Sequence, residues 1–454
     1  MNTRILYLIL SITAIITACG EAKTPSPQEP VEFTDEQLLD SVQYRAFLYF
    51  WNGSDTVSGM SKERIHMDGV YPQKDQDVIT SGGSGFGLMT VIAAVNRGWI
   101  TRQQAVERLS KMTAFLEKAD RFHGAWPHWW YDYNGKVKAF STKDDGGDIV
   151  ETSFIAQGLL VCREYFKNGN EQEKALAARM DQLWKTIDFN FYTRGGNSLY
   201  WHWSPKYQWD MNFQIRGYNE CLITYLLAAS SPTHPVSPKV YHQGWAMNGG
   251  IKSANTKYGY SYGLKHQDNP EYGGPLFWAH YSYLGLDPRG LKDTYADYEQ
   301  ETKNQVLINF KWCVENPHAY KNYGPNNWGL TASYSPSGYA AHAPGVDRDL
   351  GVITPTAAVS SIVYTPQESL RAIRNWFTNY HSKLWGEYGF YDAFSDQENW
   401  YPKHYLAIDQ GPMVVMIENY RSELFWKLFM NCSEVQEGLI KLGFESPYLS
   451  GPKK

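Results

Sequence analysis

From Thr34 onward the apolar positions recur at helical spacing, with little of the strict alternation that marks strands. Thr34, Asp35, Glu36 and Gln37 have capping-box spacing ahead of an apolar-periodic segment at 38–50. Two kinds of helical segment then alternate. One kind is apolar nearly all round, at 86–95, 149–166, 221–229, 357–364 and 413–417. The other is charged on one side, at 103–119, 171–188, 295–314 and 367–380. In the first of these Val106, Leu109, Met112 and Leu116 mark a single face.

A helix that is apolar on every side must be enclosed, and an amphipathic one covers it from outside. Alternation along the chain therefore predicts an inner ring of about six helices wrapped by an outer ring, an all-α (α/α)6 toroid. An α-solenoid is the alternative, but no repeat of fixed period is visible. Nothing after Pro30 reads as a linker, so residues 33–454 are expected to form one domain.

The connections at 122–131, 199–204, 320–336 and 389–394 are long and aromatic, and each falls between an outer-type and an inner-type helix. They are expected to gather on one face, where function concentrates. Aromatic residues make up 15% of the chain, with 17 Trp and 33 Tyr, and core packing alone does not need indoles on loops. An indole covers the apolar face of a pyranose while polar neighbours take its hydroxyls. Trp126, His128, Trp129, Trp130, Trp201, Trp203, Trp328 and Tyr391 are the expected sugar contacts. With 42 Lys plus Arg against 47 Asp plus Glu, the chain lacks the basic surplus of a nucleic-acid binder.

Three acidic clusters open three inner-type segments. Asp144, Asp148 and Glu151 precede the segment at 149–166, and Asp148 and Glu151 share a helical face. Glu220 stands at the mouth of the next, four residues after Arg216, with Tyr218 and Asn219 between them. An Arg216–Glu220 ion pair is the plain alternative to a catalytic role. Asp409 occupies an N-cap-like place before the apolar run at 413–417. Carboxyls entering an apolar wall are desolvated, which suits paired acid and base work on a glycosidic bond. The 12 His include no His-Glu-x-x-His spacing, so neither metal nor cofactor is expected.

The N-terminus predicts targeting. Arg4, an apolar run at 5–16 and then Ile16-Thr17-Ala18-Cys19 form the pattern of a lipoprotein signal at 1–18, with Cys19 lipidated. Residues 19–32 carry Pro25, Pro27 and Pro30 and read as a tether. The expected location is the cell envelope, periplasmic or at the outer-membrane surface, with the membrane met only through lipid. Cys162, Cys221, Cys313 and Cys432 lie far apart in helix-like segments, and are read as buried apolar residues in preference to disulfides.

The signal, the alternating helices, Asp144-x-x-x-Asp148-x-x-Glu151, Arg216-Gly-Tyr-Asn-Glu220 and Ile408-Asp409-Gln-Gly-Pro412 together resemble glycoside hydrolase family 144. The resemblance runs from about Val31 to Pro447. It implies a glucoamylase-like toroid that cleaves β-1,2-glucan to sophorose-type oligosaccharides with inversion. It also implies that Asp144, Asp148, Glu151, Glu220 and Asp409 are the pocket's functional acids. Glu220 is then the expected proton donor, with Asp409 or the Asp148/Glu151 pair on the water side. Arg216, Tyr218 and Asn219 join the sugar contacts, and a monomer is expected. Two rival readings fit the same residues. One is a polysaccharide lyase on the same toroid, recruiting Arg216, Arg348 and His128. The other is a non-catalytic glycan-binding lipoprotein.

Overall fold

The structure is a computed structural model and describes residues 33–267 and 269–449. The proposed signal, Cys19 and the tether lie outside the described residues. From Asp35 onward the chain forms one compact unit. Its helices are α1 (Asp35–Trp51), α2 (Ser81–Asn96), α3 (Arg102–Leu116), α4 (Ile149–Phe166), α5 (Glu171–Lys185), α6 (Leu222–Ser230) and α7 (Tyr298–Glu315). They continue with α8 (Pro355–Val359), α9 (Pro366–Asn379), α10 (His381–Leu384), α11 (Ala407–Ser422), α12 (Leu424–Met430) and α13 (Ser433–Leu442).

The two expected classes of helix are both present. Helix α2 is buried from Ser81 to Ala94, α6 over its whole length, and α4 and α11 over nearly all of theirs. Helices α3, α5 and α9 bury one face each, and Val106, Leu109, Met112 and Leu116 are all on the buried face of α3. Inner helices pack in sequence, α2 on α4, α4 on α6 and α8 on α11, and α11 returns to α2. Helices α2 and α4 cross in close backbone approach. A Cβ on Gly85 would lie 2.4 Å from the Phe154 carbonyl, and one on Gly158 would lie 2.4 Å from the Gly85 carbonyl. Only glycine allows that approach.

Two inner elements differ from the sequence expectation. The sixth inner position is not an α-helix but two 3₁₀ turns, Leu276–Ala279 and Ser282–Leu284. Side chains take backbone groups that a helix would pair. Gln305 Nε2 donates to the carbonyls of Gly274 and Pro275 at 3.2 and 3.1 Å, and Gln157 bonds Tyr281 O and Gly285 N at 3.1 and 2.6 Å. Helix α8 stops at Val359, short of the expected 364, and residues 360–364 continue as turns until α9 begins on Pro366.

Short antiparallel ribbons tie the heads of the inner helices together. Val78–Thr80 pairs with Trp129–Tyr131, Gly147–Asp148 with His202–Trp203, and Arg64–His66 with His404–Leu406. Cys162, Cys221, Cys313 and Cys432 are free and buried. No helix among the described residues is long and apolar enough to cross a membrane.

Candidate active site

A cavity of about 390 Å³ opens where the inner helices begin. Glu63, Glu151 and Glu220 bring three carboxyls into its wall. His128, Trp129, Phe140, Trp201, Phe277, Tyr281 and Tyr339 supply flat surfaces, and Arg64, Gln73 and Lys138 supply donors. The indole N–H of Trp129 is buried without a hydrogen-bond partner among the described residues.

The ribbon at Gly147–Asp148 organises one side. Asp148 is the N-cap of α4, and its Oδ1 accepts the backbone N–H groups of Val150 and Glu151, both at 2.9 Å. Its Oδ2 accepts from Trp201 Nε1 at 3.1 Å and faces His128 Nδ1 at 3.2 Å and His202 Nε2 at 3.5 Å. Burial opposes charge on Asp148, but hydrogen bonds from His128 and His202 outweigh it and hold the carboxyl well below the usual range. Burial likewise opposes charge on the two imidazoles. Glu151 and Asp148 nevertheless raise His128 to about 10, and Asp144 and Asp148 raise His202 to about 9. Two imidazolium groups therefore clamp the capping carboxylate at neutral pH. Asp144 Oδ2 lies 3.2 Å from His202 Nε2, an ion-pair contact without hydrogen-bond alignment.

Glu151, one turn into α4, is placed by the opposite logic. Burial lifts its carboxyl to about 7, against the pull of His128 and with a push from Asp148. Its Oε2 accepts the Gly82 N–H at 2.8 Å, so the head of α2 fixes its rotamer.

The third acid lies one residue behind the wall residue Ile408. Asp409 sits in the first turn of α11 and not at its N-cap, which is Leu406. Burial raises Asp409 well above the carboxylate range, with Asp392 and Glu63 adding to it. Asp392 is raised to about 6, chiefly by burial, and hydrogen-bonds Asp409. Two buried carboxyls in contact share a proton. Pro412 has no N–H for the Ile408 carbonyl, and the Tyr281 hydroxyl takes that carbonyl at 3.1 Å instead. The Ile-Asp-Gln-Gly-Pro motif thus draws an aromatic wall residue to the head of α11.

Of the residues expected from sequence, the cavity wall holds Glu151, Glu220, His128, Trp129 and Trp201. Asp144, Asp148 and Asp409 lie behind the wall, at 3%, 0% and 2% exposure. The remaining expected contacts lie elsewhere. Trp126, Trp130 and Trp328 are fully buried core residues whose indoles donate to the carbonyls of Leu116, Asp120 and Glu368. Trp203 packs edge-on against His123 and Phe191. Tyr391 packs at a tilt against Tyr405 in a second core cluster. Tyr218 is buried against Trp245 and His266, and Asn219 bonds Gln267 and caps Cys221. Arg216 is exposed and outside the wall. Of the six tryptophans expected to meet sugar, Trp129 and Trp201 reach the cavity and the other four pack inward.

Sequence reasoning missed Glu63, Arg64, Phe140, Tyr281, Tyr339 and Asp392. Lys62-Glu63-Arg64 reads as ordinary surface charge, and only its pairing beside Leu406 turns it inward. Phe277 and Tyr281 carried a signal, being four apart in an aromatic run.

A toroid of paired helices with carboxyls and aromatic rings at its mouth defines a glucoamylase-like protein. Comparison narrows the class. The Glycoamylase (glucoamylase) family model matches residues 212–433. An endo-β-1,2-glucanase from Chitinophaga pinensis, solved with sophorotriose and glucose, is 62% identical with a TM-score of 0.91, over 92% of this chain and 100% of that one. An exo β-1,2-glucooligosaccharide sophorohydrolase from Parabacteroides distasonis is 42% identical over 95% of this chain, which spans only 61% of that protein. An endo-β-1,2-glucanase from Talaromyces funiculosus shares the fold at 14% identity and a TM-score of 0.61. The chain belongs to glycoside hydrolase family 144.

Proposed function

We propose that this protein is an endo-acting β-1,2-glucanase that releases sophorose-type oligosaccharides. The observation that carries this reading is Glu151 and Glu220 in one aromatic wall, in a chain spanning the full length of the Chitinophaga endo-glucanase. Glu220 protonates the glycosidic oxygen as the C1–O bond breaks. Water adds at C1 and gives its proton to Glu151, the second carboxyl of that wall. Inversion is the outcome the family resemblance implies, and the anomer first released, read by NMR, tests it. One observation favours a second reading of the donor: Glu151, lifted to about 7, is part-protonated at neutral pH. A lyase is disfavoured because His128 is protonated and neither Arg216 nor Arg348 lines the cavity.

Product analysis on soluble β-1,2-, β-1,3-, β-1,4-, β-1,6- and α-1,4-glucans tests the substrate. Selective cleavage of β-1,2-glucan to mixed short oligosaccharides is expected, and release of sophorose alone from chain ends would replace endo with exo action. Glu220→Gln is expected to lower turnover by at least about a thousandfold. Turnover near wild type with the fold intact would move the donor to Glu151.

Lipidation of Cys19, and with it location in the cell envelope, completes the proposal on the strength of the Ile16-Thr17-Ala18-Cys19 pattern. Partition of the expressed protein into detergent, lost in Cys19→Ala, tests it.

A further inference from the structure

A second cavity, of about 260 Å³, adjoins the carboxylate cavity, and Arg64 and Gln73 belong to the walls of both. The two also share a hairpin, in which Ala332–Ser335 pairs with Gly338–Ala341 and Tyr334 stands opposite Tyr339. Ala332 and Tyr339 line the carboxylate cavity, whereas Tyr334 and Gly338 line the second. At about 30 Å³ per water, the second chamber has the room of eight or nine waters. That is enough for one glucosyl unit and too little for two.

The outer wall of the chamber is the loop at 66–75, which is already held in place. His66 Nδ1 donates to the Val70 carbonyl at 2.6 Å, and the Val70 N–H donates to Asp68 Oδ1 at 2.9 Å. The His66 ring stacks on Tyr71, with centroids 4.6 Å apart, and on His404 at 3.8 Å. Arg64 is fixed between the two chambers, its Nη1 donating to the Tyr334 hydroxyl at 2.8 Å and lying 3.1 Å from Asp75 Oδ2. A wall ordered in advance costs a ligand little entropy.

The lining selects the chemistry of that ligand. Arg64 and Asp75 neutralise each other, and Asp68 adds a second carboxylate. A phosphate would meet two carboxylates for one guanidinium, and an apolar ligand would strand the charges. Asp68 commits only Oδ1 to the loop, which leaves Oδ2 to accept, and the exposed Gln73 carboxamide both donates and accepts. Neutral vicinal hydroxyls satisfy such a set. We propose that this chamber is a distal subsite for one glucosyl unit of a β-1,2-glucan chain that runs past Arg64 and Gln73 from the carboxylate cavity, an inference that rests on the glucanase reading above. A unit bound there is remote from the scissile bond, and its binding energy goes into holding that bond in place. The subsite thus sets the chain length that the enzyme prefers.

Hydrolysis of purified β-1,2-gluco-oligosaccharides, each of one length from the disaccharide upward, tests this with wild type, Asp68→Ala and Val70→Trp. Val70 is 58% exposed and lines the chamber, and it gives the loop's hydrogen bonds only backbone groups, so the indole fills the space without breaking them. In wild type, kcat/KM is expected to rise at least tenfold at the one length where the chain first reaches the chamber. Both variants are expected to lose most of that rise, with the deficit confined to chains long enough to reach it. The subsite is overturned if wild type shows no such step, if the step in Val70→Trp stays within twofold of wild type, or if the variants lose activity equally at every length, which would mark a structural role for the loop. Failure of wild type to cut any member would overturn the glucanase reading, and the subsite with it.

Discussion

The Gly82 N–H donates to Glu151 Oε2 at 2.8 Å, so the head of one inner helix holds the carboxyl that the next presents to the cavity. A Cβ added to Gly82 would lie 2.2 Å from that oxygen. Gly82→Ala must therefore push the Glu151 side chain out of its seat. The expected outcome is a fall in kcat of about ten- to a hundredfold, with roughly 1–3 kcal/mol lost from stability. Initial rates on β-1,2-gluco-oligosaccharides and urea unfolding check the pair. Activity within twofold of wild type would show that the Gly82 contact does not position the acid.

Burial of Glu151 also makes stability depend on pH. Its folded value of about 7 stands above the ordinary 4.5, so the folded state binds the proton more tightly than the unfolded chain. That contribution is full below 4.5 and is lost as pH rises through about 7. Glu151→Gln is free of the loss and can still accept the Gly82 N–H. The variant is expected to gain on wild type between pH 4.5 and 7, by on the order of 3 kcal/mol at pH 8. Urea unfolding of both proteins at pH 4.5 and pH 8 measures the change, and a gap that stays constant across that range would contradict the assignment.

The helices and the acidic heads were legible because burial on all sides and one-sided burial leave different periodicities in the chain. That signal located α2, α4, α6 and α11 and put Glu151, Glu220 and Asp409 at helix heads. Which side chains reach the cavity was not legible, since ribbon pairing decides it. Thr80 opposite Trp129 sends neighbouring residues of the 122–131 loop to opposite faces, so Trp129 meets the cavity while Trp130 enters the core. Glu63 depends on the same kind of pairing, with a partner strand more than 300 residues away.

That division predicts different failures for two tryptophans. Trp201 lines the cavity and donates to Asp148, whereas Trp126 is fully enclosed and donates to the Leu116 carbonyl. Trp201→Phe keeps a ring but loses the donor, and is expected to raise KM several-fold and lower kcat, with a melting temperature close to wild type. Trp126→Ala is expected to cost about 3–5 kcal/mol of stability, with KM unchanged in whatever protein remains folded. Equal effects of the two substitutions on KM would mean that the loop does not divide as described.

His202 links the site to pH from the other side. Its imidazole lies 3.2 Å from Asp144 and 3.5 Å from Asp148, and it is itself largely buried. Burial works against its charge, yet the two carboxylates raise it to about 9 from an ordinary 6.5. A histidine raised in the folded state contributes stability that is fully present below 6.5 and is lost as pH rises through about 9. His202→Gln keeps a hydrogen-bond donor and removes the cation. Wild type is therefore expected to exceed the variant by on the order of 3 kcal/mol at pH 6, and the gap to shrink toward pH 9.5. Hydrolysis by His202→Gln is expected to fall even where it is fully folded, because Asp148 loses one of the two cations that clamp it at the cap of α4. Unfolding curves at pH 6, 8 and 9.5 carry the decision: a gap that widens with pH would mean that His202 is neutral in the folded protein and that Asp144 and Asp148 are not held by its charge.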